Sequence, residues 1–397
     1  MNQVKNMSVY AFFVLFLFLL SMGFWVGWGH KAEFMSICGI LTFIYGYSYK
    51  ILKLSKKYAI AGLILYISYV IVSVGLTYRT LFTQIPALLI PVLCVLFVRN
   101  AYKPKMLDLI TKWYAILLIP SAIIFLLNQV VNLPSFGIIY YDNLDHDAFE
   151  NYLFYVRSIN PGVRFNGPFV EPGHLGMIGA IILIANNFKF KNKYNIVVAI
   201  SILLSLSLAG YMLTMIGYIM HAYNEGRKNV GKMAVFAFLL FSFVLVADNY
   251  NGGDNIINEK ILSRFESDED RGFAGNNRAT LVVMTLFEDL WTDNNRFLFG
   301  YDRDFQRLNE DMFRHSNGLI FFIVCHGIVG VLVAFLFYAY LSIKADNRKY
   351  AFSFLLLLFL CFFQRTYYYW IPWVLCFDYG IVSNATLKKI NFKRIRA

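Results

Sequence analysis

The sequence predicts an all-α, polytopic integral membrane protein, one transmembrane domain over residues 1–397 with about twelve spans, and three observations carry that expectation. Of its 397 residues, 58% are hydrophobic and 18% aromatic, with a mean hydropathy of +0.55. A soluble domain of this size could not keep that much apolar surface from water. The apolar residues come in runs of roughly 15 to 25, the length that crosses a bilayer, and basic clusters recur at every second connection between runs, as they do in cytoplasmic loops. The formal charge of +12 could otherwise point to nucleic acid. Grouped in this way it reports topology, and no nucleic-acid partner is expected.

Met7 to Trp28 opens the series. It follows a single Lys5, is too long for a signal-peptide apolar region and lacks a small-x-small cleavage site, so it is expected to remain as a span. Further spans are expected at Phe34 to Leu52, Tyr58 to Thr77, Leu81 to Val98, Leu107 to Val131 and Pro172 to Phe188. Asn195 to Tyr223 has lysines at 189, 191 and 193 before it and Arg227, Lys228 and Lys232 after it, so both ends read as cytoplasmic. It is long for one crossing and short for two, which predicts two short helices meeting at a Ser205, Ser207, Gly210 break. Met233 to Ala247, Gly318 to Ile343, Tyr350 to Phe363 and Tyr369 to Ala385 complete the set. An even number of spans places both termini in the cytoplasm, and the basic clusters from Lys5 to Lys388–Arg396 then all fall inside.

Two long connections, Asn132 to Glu171 and Asp248 to Asn317, fall outside, where a reaction in the aqueous phase could occur. The five cysteines, at 38, 94, 325, 361 and 376, all lie within apolar runs without Cys-x-x-Cys spacing, so they read as core residues rather than a disulfide framework or metal site. No glycine-rich phosphate loop and no zinc-protease helix motif appears, which argues against an ATP-driven pump, and no nucleotide-sugar domain is seen on the cytoplasmic side.

The first loop ends in Arg164-Phe-Asn-Gly-Pro-Phe-Val-Glu171-Pro172-Gly-His174, directly before a span that runs inward. Pro172 suits a first helical turn, and Glu171 sits where a carboxylate favours a helix N-terminus. Arg164 beside that terminus could hold an anion such as phosphate; the plainer alternative is an Arg164–Glu171 ion pair that fixes the loop. In the second loop Asn277-Arg278 precedes Leu281 to Trp291, whose apolar spacing predicts an amphipathic helix on the membrane surface or packed on the loop itself.

Leu298-Phe-Gly300-Tyr301 follows, then Arg314-His315-Ser316-Asn317, with Ser316 or Asn317 placed to cap the next inward span. Two span N-termini and Arg164, Arg278, Arg314 and His315 thus converge on one face, a charge pattern suited to pyrophosphate. His315 is the first candidate for a base that accepts a hydroxyl proton, and Glu171 the second. His174 and Asn317 are further candidate ligands. Gly327 and Gly330 read as sites of close helix approach. Asp142 to Asp147 could be read as a metal site but lacks the glycine and terminal glutamate of a calcium loop, and is expected to be a solvated loop that touches sugar or nothing. Arg365 with Tyr367 to Trp370 reads as an interfacial aromatic belt in preference to the alternative, a set of rings and an arginine that bind sugar or phosphate.

In order and spacing these motifs resemble the bacterial O-antigen polymerase (Wzy) and O-antigen ligase superfamily. The arginine-to-glutamate-proline stretch, Asn277-Arg278, the glycine turn at 300 and the His315 motif each have a counterpart there. Ser316 stands where the family often has asparagine, and no arginine follows Ser207. The resemblance implies a GT-C-like, multi-pass glycosyltransferase of the bacterial inner membrane. It would move a growing glycan from undecaprenyl pyrophosphate to a lipid-linked repeat unit at the periplasmic face. It also implies lipid-linked oligosaccharide and membrane lipids as partners, with a flippase and a chain-length regulator in the same pathway. The glutamate-proline-glycine form of the first motif favours polymerase over ligase. With arginines to neutralise the leaving pyrophosphate, no cofactor and no metal is expected. A transporter or flippase, or a receptor without an active centre, is the rival from another class; the scarcity of intramembrane charges and the elaborate outer loops argue against the first, and the clustering of motifs at two helix starts against the second.

Overall fold

The structure, a computed structural model, describes residues 2–72, 85–141, 148–159, 164–225, 267–268, 272–273, 280–301, 305, 318–367 and 369–396. It is mainly helical. Helices α1 (Asn2–Ser21), α2 (Lys31–Ser48), α3 (Lys56–Val72), α4 (Ile85–Leu96) and α5 (Lys103–Asn128) precede the first long loop. After it come α6 (Pro172–Ala185), α7 (Lys193–Leu204) and α8 (Leu208–Glu225). The second loop carries α9 (Leu281–Asp289) and α10 (Asn294–Phe299), and α11 (Leu319–Ile343), α12 (Arg348–Gln364) and α13 (Ile371–Arg396) close the chain.

Among the described residues three helices are long and apolar enough to cross a membrane: Gln3–Ser21, Lys103–Asn128 and Leu319–Ile343. Fewer helices therefore meet that standard than the dozen expected. The span expected at Met233 to Ala247 lies outside the described residues, and parts of those at Tyr58 to Thr77 and Leu81 to Val98 do too. The helices carry bare apolar surface in rows. Ile37, Leu41 and Ile44 on α2, and Leu332 and Leu336 on α11, are all exposed at helical spacing. Such contiguous apolar surface is costly against water and matched by lipid.

Helix α13 runs through the core and packs against α4, α5, α6 and α12, with Trp373, Phe377 and Tyr379 almost fully buried. One ion pair is sunk in that core. Lys103 at the start of α5 donates to Asp378 of α13 at 2.5 Å and to the Leu96 carbonyl at 3.2 Å, while Tyr58 of α3 donates to Asp378 at 3.0 Å. A charge in such surroundings persists only when paired and hydrogen-bonded.

The expected break between two short helices is present. α7 ends at Leu204 and α8 begins at Leu208, with Leu206 at φ 45° between them. The non-helical backbone is kept from lipid: Ser205 and Ser207 are buried, Ser205 Oγ donates to the Ile202 carbonyl at 2.7 Å, and Gly210 N donates to Ser207 Oγ at 3.2 Å. α8 crosses α6 backbone to backbone, because a Cβ on Gly210 would lie 2.8 Å from the Gly176 carbonyl carbon.

The long loops depart from the all-α expectation. The first folds into a three-stranded antiparallel sheet, β1 (Ile138–Tyr140), β2 (Ala148–Asn151) and β3 (Val156–Ser158), with Ile139 opposite Phe149 and Phe149 opposite Ser158. Its buried face is pinned by Phe149, whose ring lies 5.0 Å from that of Trp28. The second holds a short pair, β4 (Ser267–Asp268) with β5 (Gly272–Phe273), besides its two helices.

Helix α9 sits where the amphipathic pattern predicts. Thr280 caps it, accepting from Val283 N at 3.4 Å, and Val283 and Leu290 are buried with Tyr301 and Val324 while Leu281 and Trp291 stay exposed. The helix thus packs on α11 as well as presenting apolar residues outward. Gly327 proves to be more than a site of close helix approach. It takes φ 62° and ψ −172°, a conformation open essentially to glycine alone, and breaks α11 there. The break receives the end of α10: a Cβ on Gly327 would collide with the Leu298 carbonyl, and Tyr301 N donates to the freed Val324 carbonyl at 2.8 Å.

Candidate functional site

The segment from Arg164 to Glu171 threads between the α1–α2 connection and the tip of the α7–α8 pair. Phe165 N donates to the Leu204 carbonyl at 3.1 Å and Trp25 N to the Pro168 carbonyl at 3.3 Å, and Phe169 bridges to Phe24. Phe165 and Phe169 are fully buried, so the apolar residues of the motif anchor it and leave the polar ones to be placed. Gly167 makes the turn at φ +63°.

Arg164 is half-buried, and its Nε donates to the Ser205 carbonyl at 3.1 Å, at the C-terminus of α7. A cation there is favoured by the helix dipole. Glu171 is the N-cap residue of α6 with Pro172 at the first position, as expected, but its carboxylate makes no capping bond. It turns to Arg365 instead, and that ion pair replaces the Arg164–Glu171 pair weighed from sequence. Arg365 has a side-chain exposure of 3% and Glu171 of 40%. The interfacial-belt reading of this stretch is corrected by the same observation: Arg365, Tyr369 and Trp370 are buried, with Trp370 Nε1 donating to the Ser21 carbonyl at 2.8 Å, while Tyr367 is exposed.

His174, in the first turn of α6, is buried between the rings of Tyr367 and Trp370, at 5.8 and 5.2 Å. It lines a cavity of about 640 Å³ at the end of the bundle that carries the first loop. The rings of Tyr69, Tyr141, Tyr367, Tyr369 and Trp370 form much of its wall, and Lys31 at the start of α2 is a cation among them. Its ammonium donates to the Ser21 carbonyl at 3.3 Å. Lys31 is reachable by solvent yet crowded by protein, and this desolvation pushes its pKa down from the ordinary lysine value.

The structure therefore pairs Glu171 with Arg365, which the sequence singled out without this partner, and sets His174 in the same cavity as Lys31, which sequence reasoning missed. Arg365 lies nearly two hundred residues from Glu171, and nothing in the local pattern around either one signals the other. Arg278, Arg314, His315 and Asn317 lie outside the described residues, as do Asp142 to Asp147. The cap expected from Ser316 or Asn317 falls instead to Gly318, at φ 96°, with no side-chain bond. Among the described residues no group of His, Cys, Asp and Glu could hold a metal ion.

No family model, curated protein or solved structure matches this chain.

Proposed function

We propose that this chain is a glycosyltransferase of the bacterial inner membrane that polymerises lipid-linked repeat units, as the motif order suggests. Both termini would be cytoplasmic and both long loops periplasmic. The observation that carries the reading is the placement of the first motif. Its apolar residues are buried, and its Glu171 and His174 stand at the start of α6 beside an aromatic cavity at the loop end of the bundle. A concave, largely apolar site with a few convergent polar groups is the usual form of a ligand site.

The reaction moves one bond. The anomeric carbon of the growing glycan parts from the pyrophosphate oxygen of its carrier and bonds to a hydroxyl oxygen of the acceptor sugar, whose proton passes to a base. The pyrophosphate leaves with the bonding pair, still on its lipid, and positioned cations lower the barrier by stabilising that charge, each worth on the order of 3 kcal/mol. Arg164, Arg278 and Arg314 are the proposed cations. His315 is the base we favour. Glu171 is the weaker candidate because protonating it would leave the buried guanidinium of Arg365 without its partner. Glu171 acts better as a positioning residue for α6.

The test is the polysaccharide ladder of a strain lacking this protein, complemented with wild type or with Arg164→Ala, Arg278→Ala or His315→Ala at matched expression. Single repeat units in the null strain, with no ladder restored by the variants, support the polymerase. Full-length glycan accumulating on its lipid carrier would assign a ligase, and an unchanged ladder would end both readings.

A further inference from the structure

We infer that the aromatic cavity beside His174 is a sugar subsite that selects a glycan bearing a single negative charge, read by Lys31. The choice of ligand rests on the glycan-transfer reading above; the site itself rests on its geometry. Its volume of about 640 Å³ falls in the range of small-ligand pockets and exceeds what one ring needs. Its rings are held by one another rather than by solvent: Tyr69 and Tyr369 meet edge to face at 4.8 Å, Tyr367 and Trp370 at 5.2 Å, and Trp370 and Trp373 at 6.1 Å. Fixed, flat apolar walls offer stacking surface at little ordering cost, which suits the C–H faces of sugar rings.

Lys31 makes its hydrogen bond to a neutral carbonyl, no carboxylate is among the described residues that line the cavity, and crowding by protein lowers its pKa. A solvent-reachable ammonium at the edge of such walls, with no carboxylate among the described residues that line them, is placed to meet an incoming anion. A lipid pyrophosphate carries more negative charge than one ammonium neutralises, and a wall of rings provides little else for it. A sugar carboxylate matches both the charge and the walls.

The experiment measures equilibrium binding of a radiolabelled glucuronosyl disaccharide to the full chain in phosphatidylcholine nanodiscs. The methyl ester of that disaccharide and farnesyl pyrophosphate serve as the comparison probes. The acid is expected to bind about tenfold or more tighter than its ester, a difference of about 1.4 kcal/mol. Lys31→Gln should erase that preference, and Lys31→Arg should keep it. Equal binding of acid and ester, no binding of either, or a preference untouched by Lys31→Gln would overturn the inference. So would displacement of the acid by farnesyl pyrophosphate in wild type but not in Lys31→Gln, since Lys31 would then belong to the carrier lipid. A ladder lost in Arg164→Ala and His315→Ala without disaccharide binding sinks this inference alone. Lys31-dependent binding alongside an unchanged ladder sinks the polymerase and leaves the site standing.

Discussion

Glu171 and Arg365 show how much a single partner decides. The guanidinium is almost wholly enclosed, and a buried cation stripped of its counter-ion costs about 3 to 5 kcal/mol. Glu171 is partly open to water, which discounts that figure for its own removal. Arg365→Met leaves only a carboxylate that water reaches, so Glu171→Gln is still expected to lower thermal stability in detergent by more than Arg365→Met does, and the pair should show a coupling of roughly 1 to 3 kcal/mol in a double-mutant cycle. Additive losses would mean that the two groups are independently placed. Lys31 makes a prediction in pH. Its folded-state pKa lies below the ordinary lysine value, so its positive charge, and any anion binding that depends on it, is complete at low pH and lost as pH rises through that lowered pKa. The groups facing it across the cavity are His174 and the phenols of Tyr69, Tyr141, Tyr367 and Tyr369, and Lys31→Arg should move the loss to higher pH. A disaccharide titration that ends at the same pH in both proteins would assign the effect to one of those neighbours.

At the scale of elements, α11 and the α7–α8 pair gain their shape from interruptions. Gly327 holds a backbone conformation that costs a residue with a Cβ on the order of 1 to 3 kcal/mol, and its neighbour is the unyielding Leu298 carbonyl rather than a flexible side chain. Gly327→Ala should therefore straighten α11 and expel α10, freeing the turn at Gly300 and Tyr301. Limited proteolysis within 280–301 reads this directly: faster cleavage is expected in the variant, while an unchanged pattern would show that α10 is held by other contacts. The α7–α8 tip solves the opposite problem. Its backbone leaves helical geometry inside the molecule, and serine hydroxyls together with the Arg164 guanidinium satisfy the groups this exposes. The residue proposed for pyrophosphate thus also closes a helix end, so Arg164→Ala needs its expression check.

Across the whole molecule, α3, α5 and α13 are tied through one buried charge pair at the end opposite the cavity. Lys103 is wholly inaccessible, so Asp378→Asn leaves a cation with a phenol and a carbonyl for company. The loss should be about 3 to 5 kcal/mol and should appear as a lower melting temperature and reduced yield from membranes. Lys103→Met with Asp378→Leu should recover much of it, since two apolar residues leave no charge behind. A single variant as stable as wild type would show that water reaches this pair.

Much of this was legible in the chain alone, for reasons of period and solvent. Apolar runs and alternating basic clusters depend only on local composition, so the helices, the α7–α8 break, Pro172 at the head of α6 and the α9 helix all follow from residues close together in sequence. The same locality explains the failures. The first loop reads as a connection because its strands are three or four residues long and pair only once folded. Arg365 reads as an interfacial residue because the carboxylate that pairs with it comes from another helix start, and Lys31 carries no signal in the sequence because the rings around it come from three separate stretches of the chain. By itself the sequence determined the helices and their apolar faces, since those answer to the solvent; which charges meet at the cavity was decided by the tertiary structure, since that depends on which distant segments share a place.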